Sequence, residues 1–244
     1  LSPVRQAPDS YHLMNTKYIE GNDVGLHTQP HLQDMEGNLE AIRDASRQAD
    51  WVLFTLHAHE GHPGDSERPA EFIEAFARIA IDEGAPCFIG HGHHAMRGIE
   101  IRKGRPIFYS LGNFIFQNET VEKMPSDFYE RYGLDQYSGV VSEAYDERQT
   151  AQSTPGWPKG AWFTMDEKYW MSVVPRMEFK GDKLDELLLY PIVLGMDESR
   201  SQRGRPKMAS GEMAEKILGI IAKLSKPYGT QMEIVDDVGV VWLK

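Results

Sequence analysis

Two short apolar segments, each followed at once by histidines, constrain the fold of this 244-residue chain more than any other feature. They are WVLFTL at residues 51–56 and CFI at residues 87–89. Six of the nine histidines follow these segments: His57, His59, His62, His91, His93 and His94. Neutral imidazole is a common ligand of zinc, iron and manganese, and a loop at the end of a buried strand holds its ligands rigidly. The pattern therefore predicts a metal site.

The residues between the two segments predict a helix. Pro69 suits the first helical position, Gly84 suits the end, and the apolar residues between them recur at helical spacing. A strand, helix and strand of this length are expected to form a right-handed crossover with parallel strands. Both histidine groups then lie at the same carboxyl edge of a sheet, which is where such sheets bind ligands.

Other segments predict ordinary secondary structure. Helices are expected over residues 38–49, with Asn38 as N-cap, and over residues 210–224. β-Hairpins are expected in three places, at residues 98–110, 171–194 and 234–243. Residues 117–169 show no clear period and are predicted to form a long irregular insertion, a kind of segment that commonly acts as a lid or substrate wall.

Composition excludes several classes of protein. A net charge of −11 and a pI near 5.3 argue against a non-specific nucleic-acid binder, because such proteins present clustered Lys and Arg to phosphates. The single cysteine, Cys87, rules out an internal disulfide framework. No apolar run reaches the length of a membrane span. Because the first residue is Leu1 and not Met, an export signal or an upstream segment is expected to have been removed.

Three stretches carry a resemblance to a known family. They read ADWVLFTLHAHEG, GAPCFIGHGHHAMRGIEIRKGRPIFYSLGNFIF, and LLLYPIVL followed by a helix that ends in KLSKPYGT. They resemble the CapA-like proteins of poly-γ-glutamate capsule synthesis, which are relatives of the calcineurin-like metallophosphoesterases. The resemblance covers most of residues 38–243 and leaves the insertion unmatched. It implies an α/β fold, a calcineurin-like four-layer α/β/β/α sandwich, with two divalent metal ions (manganese, iron or zinc) at the strand ends.

The resemblance also implies which residues bind the metals. His57 resembles the family's histidine after the middle strand, and His91 resembles the first histidine of its glycine-histidine loop. The second ligand in that loop stays open, since the pattern GHxH selects His93 and the pattern GHxxH selects His94. The predicted ligands are thus His57 and His91, with His93 as the third. Asn113 matches the asparagine of the family's SLGNF string and is interpreted as a residue that organises the loop.

Some of the family's expected ligands have no counterpart here. In the wider superfamily an Asp-x-His pair, a bridging Asp and an Asn or Glu come from the amino-terminal half of the fold. Residues 1–5, LSPVR, resemble the stretch that follows that half. Residues 1–244 are therefore expected to form one domain that corresponds to the C-terminal part of the fold. An upstream segment or a second chain would complete the metal site.

The resemblance implies a hydrolytic mechanism. Paired metals are expected to activate a water for attack on a phosphoryl or acyl group, while His59 or His94 protonates the leaving group. Arg97 and Asn113 are predicted to contact an anionic substrate, and the other candidate anion clamps, Arg68 and Arg105, are interpreted as surface charges.

Two functions of different class follow from the resemblance. The first is a metal-dependent hydrolase or transferase that acts on phosphate esters or γ-glutamyl amide bonds in capsule or cell-envelope polymer metabolism. The second is a non-catalytic accessory subunit of a poly-γ-glutamate synthesis or export complex. The expected substrate is an anionic small molecule or polymer and not a nucleic acid. The expected location is the cell envelope or the extracytoplasmic space, with the cytoplasm left open.

Overall fold

The computed structural model describes residues 4–7, 10–14, 16–20, 27–117, 119–150, 166–181 and 183–243. The strands, in chain order, are β1 (Val4–Ala7), β2 (Ser10–Leu13), β3 (Thr16–Ile19), β4 (Leu53–His57), β5 (Gly61–His62), β6 (Asp65–Pro69), β7 (Cys87–His91), β8 (Met96–Arg102), β9 (Arg105–Leu111), β10 (Met171–Lys180), β11 (Lys183–Val193), β12 (Lys207–Met208), β13 (Gln231–Val235) and β14 (Val238–Trp242). The helices are α1 (Leu32–Ser46), α2 (Glu71–Asp82), α3 (Ser126–Arg131), α4 (Val141–Thr150) and α5 (Glu212–Ser225).

A four-stranded sheet in the order β4-β7-β9-β8 positions the histidines. The predicted parallel pairing is confirmed, because β4 and β7 are adjacent parallel strands with α2 between them in the chain. Their register pairs Leu53 with Cys87 and His57 with His91. Gly84 ends α2 with φ near +115°, a conformation that side-chain-bearing residues rarely adopt. The two histidine groups therefore leave the sheet side by side at one edge.

Each face of this central sheet contributes to a different core. On one face, Phe88, Ile107 and Tyr109 pack against α1 and α2. On the other face, Cys87 and Phe108 pack against β10, β11 and α5. The alternation of neighbouring residues between faces is the period of a strand buried on both sides. Burial on both faces explains why β7 reads as a continuous apolar run.

The second core is completed by an antiparallel sheet in the order β10-β11-β14-β13, with β12 beside β11. The three predicted hairpins and the predicted helix over residues 210–224 are confirmed as β8–β9, β10–β11, β13–β14 and α5. α5 buries Ala214, Ile217, Leu218 and Ile221, which lie on one side of the helix. The chain is thus a mixed α/β protein with several sheets, and the four-layer calcineurin-like sandwich stays a prediction.

Two predicted helix starts are wrong. α1 begins at Leu32, and Asn38 lies inside it, where the side-chain amide donates to the carbonyl of Asp34 instead of capping the helix. Pro69 is the last residue of β6, so α2 begins two residues later at Glu71. The polar segment before Pro69 pairs as the small β5–β6 hairpin. Both residue types are common at helix starts, but a residue type alone does not determine where a helix begins. At Pro69, pairing of β5 with β6 delays the start of the helix.

The insertion at residues 117–169 is not irregular throughout, which corrects the expectation. It contains α3 and α4, and it buries the aromatic rings of Tyr129 and Tyr145. Glu119 in this segment accepts hydrogen bonds from Arg200 and Arg203, which tie it to the loop before β12. Residues 118 and 151–165 lie outside the described residues.

None of the helices within the described ranges has the length and apolar character required to cross a bilayer.

Candidate functional site

Three imidazoles form a continuous row at the carboxyl ends of β4 and β7. Nδ1 of His57 lies 3.1 Å from Nδ1 of His91, and Nε2 of His57 lies 3.1 Å from Nε2 of His59. His57 and His91 are register partners on adjacent strands, so the sheet itself sets their separation. The structure therefore brings together the two histidine groups that are 34 residues apart in the sequence.

The spacing of these nitrogens fits metal ligation. Two histidine nitrogens bound to one ion at about 2.1 Å each lie roughly 3 Å apart, as both pairs do here. The two pairs use opposite nitrogens of His57, so one ion can take the His57–His91 pair or the His57–His59 pair. Burial, and then the neighbouring His57, lower the pKa of His91, which favours the neutral ring that a metal needs.

The described residues bring the histidine rings together in pairs. Within them, no group of three or more His, Cys, Asp or Glu side chains is arranged around one point in a way that could hold an ion. The histidine pairs are therefore the ligand sets that this part of the chain offers. The predicted pair of metal ions stays a prediction.

His93 lies partly buried behind this row. Both of its ring nitrogens are inaccessible to solvent, and their nearest polar neighbours are the backbone groups of Ala58 and Ala95, whose weak contacts with the ring fall short of full hydrogen-bond geometry. Burial, and then the charge of Arg97, lower the pKa of His93 to about 3, so the ring is neutral at physiological pH. Buried polar atoms are normally satisfied, and a bound cation or water would satisfy these. This observation is compatible with the predicted role of His93 as a ligand.

Gly92 allows the loop to pack closely enough for this arrangement. Its φ is near +117°, and a Cβ at this position would lie 2.9 Å from the carbonyl oxygen of Ala58. A side chain would push the loop of β7 away from the loop that follows β4. The glycine between His91 and His93 is therefore required by the close approach of the two histidine loops.

His94 points to a different partner. Nδ1 of His94 lies 2.8 Å from Oδ1 of Asn113, and Nδ2 of Asn113 donates to the carbonyl oxygen of Tyr169 over 2.9 Å. Asn113 thus joins the histidine loop to the start of β10, 56 residues further along the chain. The predicted pair His94 and Asn113 is in direct contact, while substrate binding by Asn113 stays a prediction.

Arg97 is a buried residue that hydrogen-bonds to the backbone of the first histidine loop. It is 2 % exposed, and it donates from Nε to the carbonyl of Ser66 and from Nη1 to the carbonyl of Glu60. Burial lowers the pKa of Arg97 to about 10. The guanidinium therefore links β8 to the β5–β6 hairpin. Binding of a substrate anion by this residue stays a prediction.

A pocket with a volume of about 850 Å³ opens beside the histidines. Its lining includes four of the residues selected from the sequence: His59, His93, His94 and Arg97. His57, His91 and Asn113 do not line it. The row of three imidazoles thus reaches the pocket through His59.

The sequence analysis missed part of the pocket wall. Lys168 and Tyr169 line it from the end of the insertion, and Ile220 and Leu224 line it from α5. No motif marks Lys168, and the two α5 residues have the spacing of ordinary core positions. The expectation that the insertion forms a wall of the site could have suggested Lys168 and Tyr169.

Comparison with known proteins supports a specific family. Residues 5–118 match the family model described as "Bacterial capsule synthesis protein PGA_cap". The chain is 40 % identical over 235 residues to "Uncharacterized protein y4sH" of Sinorhizobium fredii (strain NBRC 101917 / NGR234), an alignment that covers 95 % of this chain and 50 % of that relative. The chain therefore spans about half the length of this curated relative.

Two relatives carry functional names. "PGA biosynthesis protein CapA" of Bacillus subtilis (strain 168) is 37 % identical over 83 residues, which are 34 % of this chain and 21 % of that protein. "Capsule biosynthesis protein CapA" of Bacillus anthracis is 38 % identical over 64 residues, which are 26 % of this chain and 15 % of that protein. These matches agree with the family model and with the resemblance of the histidine segments. Together, the family model over residues 5–118 and the two named relatives support a relationship between this chain and the CapA-like capsule synthesis proteins.

Proposed function

We propose that this chain is the part of a metal-dependent hydrolase or transferase that carries the histidine ligands and the substrate pocket. The enzyme acts on phosphate esters or γ-glutamyl amide bonds during synthesis of a capsule or cell-envelope polymer. The observation that carries the proposal is the row His59, His57 and His91, whose ring nitrogens lie 3.1 Å apart beside the pocket.

His57 and His91 would hold a divalent cation through their Nδ1 atoms. When bound, such a cation polarises a phosphoryl or carbonyl oxygen and lowers the pKa of a coordinated water. Oxygen ligands from an upstream segment of a longer protein, or from a second chain, complete the coordination under this proposal. The neutral state of His91 and His93 supports it, because a protonated imidazole cannot bind a metal.

The pocket supports an anionic substrate with an apolar portion. Lys168 and the imidazoles favour a phosphate or carboxylate group, and Met171, Ile220 and Leu224 offer apolar surface; the carboxylates of Asp65 and Glu67 also line the pocket. A γ-glutamyl chain has this character, since it carries one carboxylate on each short hydrocarbon spacer. His59 or His94, both in the lining, would donate the proton that the leaving group needs.

A second function rests on the printed names of the relatives. Both Bacillus proteins are named for biosynthesis and neither name mentions hydrolysis. Under this alternative the chain is a non-catalytic accessory subunit of a poly-γ-glutamate synthesis or export complex. The histidine row would then bind a metal or a polymer anion without turnover.

The test uses the longer natural protein, loaded separately with manganese, iron and zinc. Metal content is measured by elemental analysis, and turnover is measured with a chromogenic phosphodiester and with γ-glutamyl p-nitroanilide. His91→Ala is expected to lower metal content and to reduce turnover by at least about tenfold. The control is His27→Ala, because His27 is exposed and pairs with Glu71, the first residue of α2, and not with any of the three histidines of the row.

The two functions give different results. Metal binding with turnover that His91→Ala removes supports the enzyme. Metal binding without turnover on either substrate supports the accessory subunit. Metal content that does not depend on His91 contradicts the proposed site.

A further inference from the structure

The side chain of Asn113 has one possible orientation. One end of its amide contacts the carbonyl oxygen of Tyr169 at 2.9 Å, and a carbonyl oxygen can only accept a hydrogen bond. The end that faces Tyr169 must therefore be the NH₂ group. A flipped amide would place two acceptor oxygens against each other. Oδ1 of Asn113 consequently faces His94.

The orientation of Asn113 determines where His94 carries its hydrogen. Oδ1 accepts, so Nδ1 of His94, 2.8 Å away, must be the donor. A neutral imidazole carries one hydrogen, and the bond made by one nitrogen sets the state of the other. We propose that Asn113 is a positioning residue that holds neutral His94 in the Nδ1–H tautomer, so that Nε2 carries the lone pair. A histidine without such a contact favours the opposite tautomer, with hydrogen on Nε2.

The turn that carries Asn113 is held by contacts of the two residues before it, so the backbone of Asn113 has a defined position. The hydroxyl of Ser172 donates to the carbonyl of Leu111 at 2.5 Å. Gly112 has φ near +85°, and a Cβ on it would lie 2.9 Å from the carbonyl oxygen of Met171. These contacts hold the turn after β9 against the start of β10. The hydrogen bond from His94 to Asn113 therefore couples the His94 ring to the backbone of this turn.

The lone pair has a defined place in the pocket wall. His94 lines the pocket, and its ring centroid lies 6.1 Å from that of His59. The backbone of His94 has φ near +66°, which is uncommon for a residue with a side chain and indicates that the loop imposes its position. Any use of that lone pair in catalysis rests on the proposed function, whereas the tautomer does not.

The test measures the tautomer directly. Protein labelled with ¹⁵N-histidine, freed of metal by EDTA, is studied by two-bond ¹H–¹⁵N NMR at pH 9, where an ordinary imidazole is neutral. His94→Gln assigns the signals. We expect the His94 spectrum to show a pyrrole-type Nδ1 and a pyridine-type Nε2. In Asn113→Ala the fraction of His94 that carries its hydrogen on Nδ1 is expected to fall.

Ser172→Ala is the matched control, because it loosens the same turn without removing the amide. It is expected to keep the hydrogen on Nδ1. Hydrogen on Nε2 in the wild-type protein overturns the proposal, and so does Asn113→Ala with the hydrogen still on Nδ1. If Asn113→Ala does not fold in a thermal unfolding check, the wild-type spectrum decides alone. Absence of turnover in every variant would count against the proposed enzyme and would leave the tautomer result unaffected.

Discussion

Gly90 lies one residue before His91, at the point where β7 comes closest to β9. A Cβ at this position would lie 2.5 Å from the carbonyl oxygen of Tyr109. Real Cβ atoms do not approach a backbone oxygen this closely, so the two strands would have to separate. The lack of a side chain at Gly90 therefore allows the close strand pairing that positions His91.

Gly90→Ala is expected to reduce the free energy of unfolding by about 1 to 3 kcal/mol, because the backbone must shift to remove the overlap. Denaturant titration followed by circular dichroism measures the change. The control is Gly219→Ala in α5, where nothing lies within 4 Å of the added atom and a gain of up to about 1 kcal/mol is expected. Equal stabilities for the two variants would contradict this account of Gly90.

Cys87, the first residue of β7, is fully buried. Burial raises the pKa of its thiol to about 12, so the thiolate is almost absent in the folded protein at pH 8. We expect Ellman's reagent to react with Cys87 at pH 8 only after unfolding in urea. Fast reaction without urea would show that the thiol is reachable in the folded chain.

The same shift has a consequence for stability. The unfolded thiol ionises near pH 8.5, whereas the folded thiol keeps its proton to about pH 12. Between these values the folded state binds more protons, so the contribution of Cys87 to stability falls as pH rises. Cys87→Ala is expected to remove this part of the alkaline loss of stability.

At the scale of elements, a buried side chain ties the β5–β6 hairpin to β8. Arg97 on β8 donates to the carbonyl of Glu60, just before β5, and to the carbonyl of Ser66, within β6. Gly61 leaves space for the guanidinium of Arg97, because a Cβ on residue 61 would lie 2.9 Å from Nη2 of Arg97. The hairpin forms one wall of the pocket. Its position is therefore coupled to β8.

Arg97→Met is expected to lower the free energy of unfolding by roughly 1 to 3 kcal/mol, because two carbonyls lose their donor. Hydrogen exchange should become faster at residues 60–67 and stay unchanged in the β10–β11 hairpin. Arg205→Met, an exposed site, is the control and should change stability by less than about 0.5 kcal/mol. Exchange that rises equally in both hairpins would indicate general destabilisation instead.

The sequence predicted the elements better than the contacts between them. The crossover of β4, α2 and β7 was evident because apolar spacing, Gly84 and the paired histidines are all local signals. The bond from Asn113 to Tyr169 and the support from Arg97 were not evident, because they join residues 56 and 31 to 37 positions apart. No periodic pattern encodes such pairs. The start of α1 was missed for a different reason. Asn is a common helix cap, but Asn38 makes a local hydrogen bond inside the helix.

At the scale of the whole molecule, one core connects the two larger sheets. Leu187 on β11 and Ile217 on α5 belong to the same cluster as Phe108 on β9. The histidine strands and the β10–β11 hairpin therefore share buried surface. Because a shared core couples the parts that it joins, we expect the two sheets to unfold together.

Leu187→Ala is expected to reduce the free energy of unfolding by about 2 to 5 kcal/mol, because it removes a fully buried side chain and leaves a cavity. Far-ultraviolet circular dichroism and tryptophan fluorescence should report one shared transition at lower denaturant. Leu32→Ala, at a residue that is 74 % exposed, is the control and should stay within about 0.5 kcal/mol of the parent. Two separate transitions would show that the sheets are independent.

The pairing of His57 with His91 across two parallel strands has a consequence for how the protein acquires its chemistry. A slip of one residue between β4 and β7 would turn one ring to the opposite face of the sheet and separate the two nitrogens. The two rings cannot meet in a chain whose strands are still apart. Under the proposed function, a newly synthesised copy gains affinity for a cation only once β4 and β7 have paired.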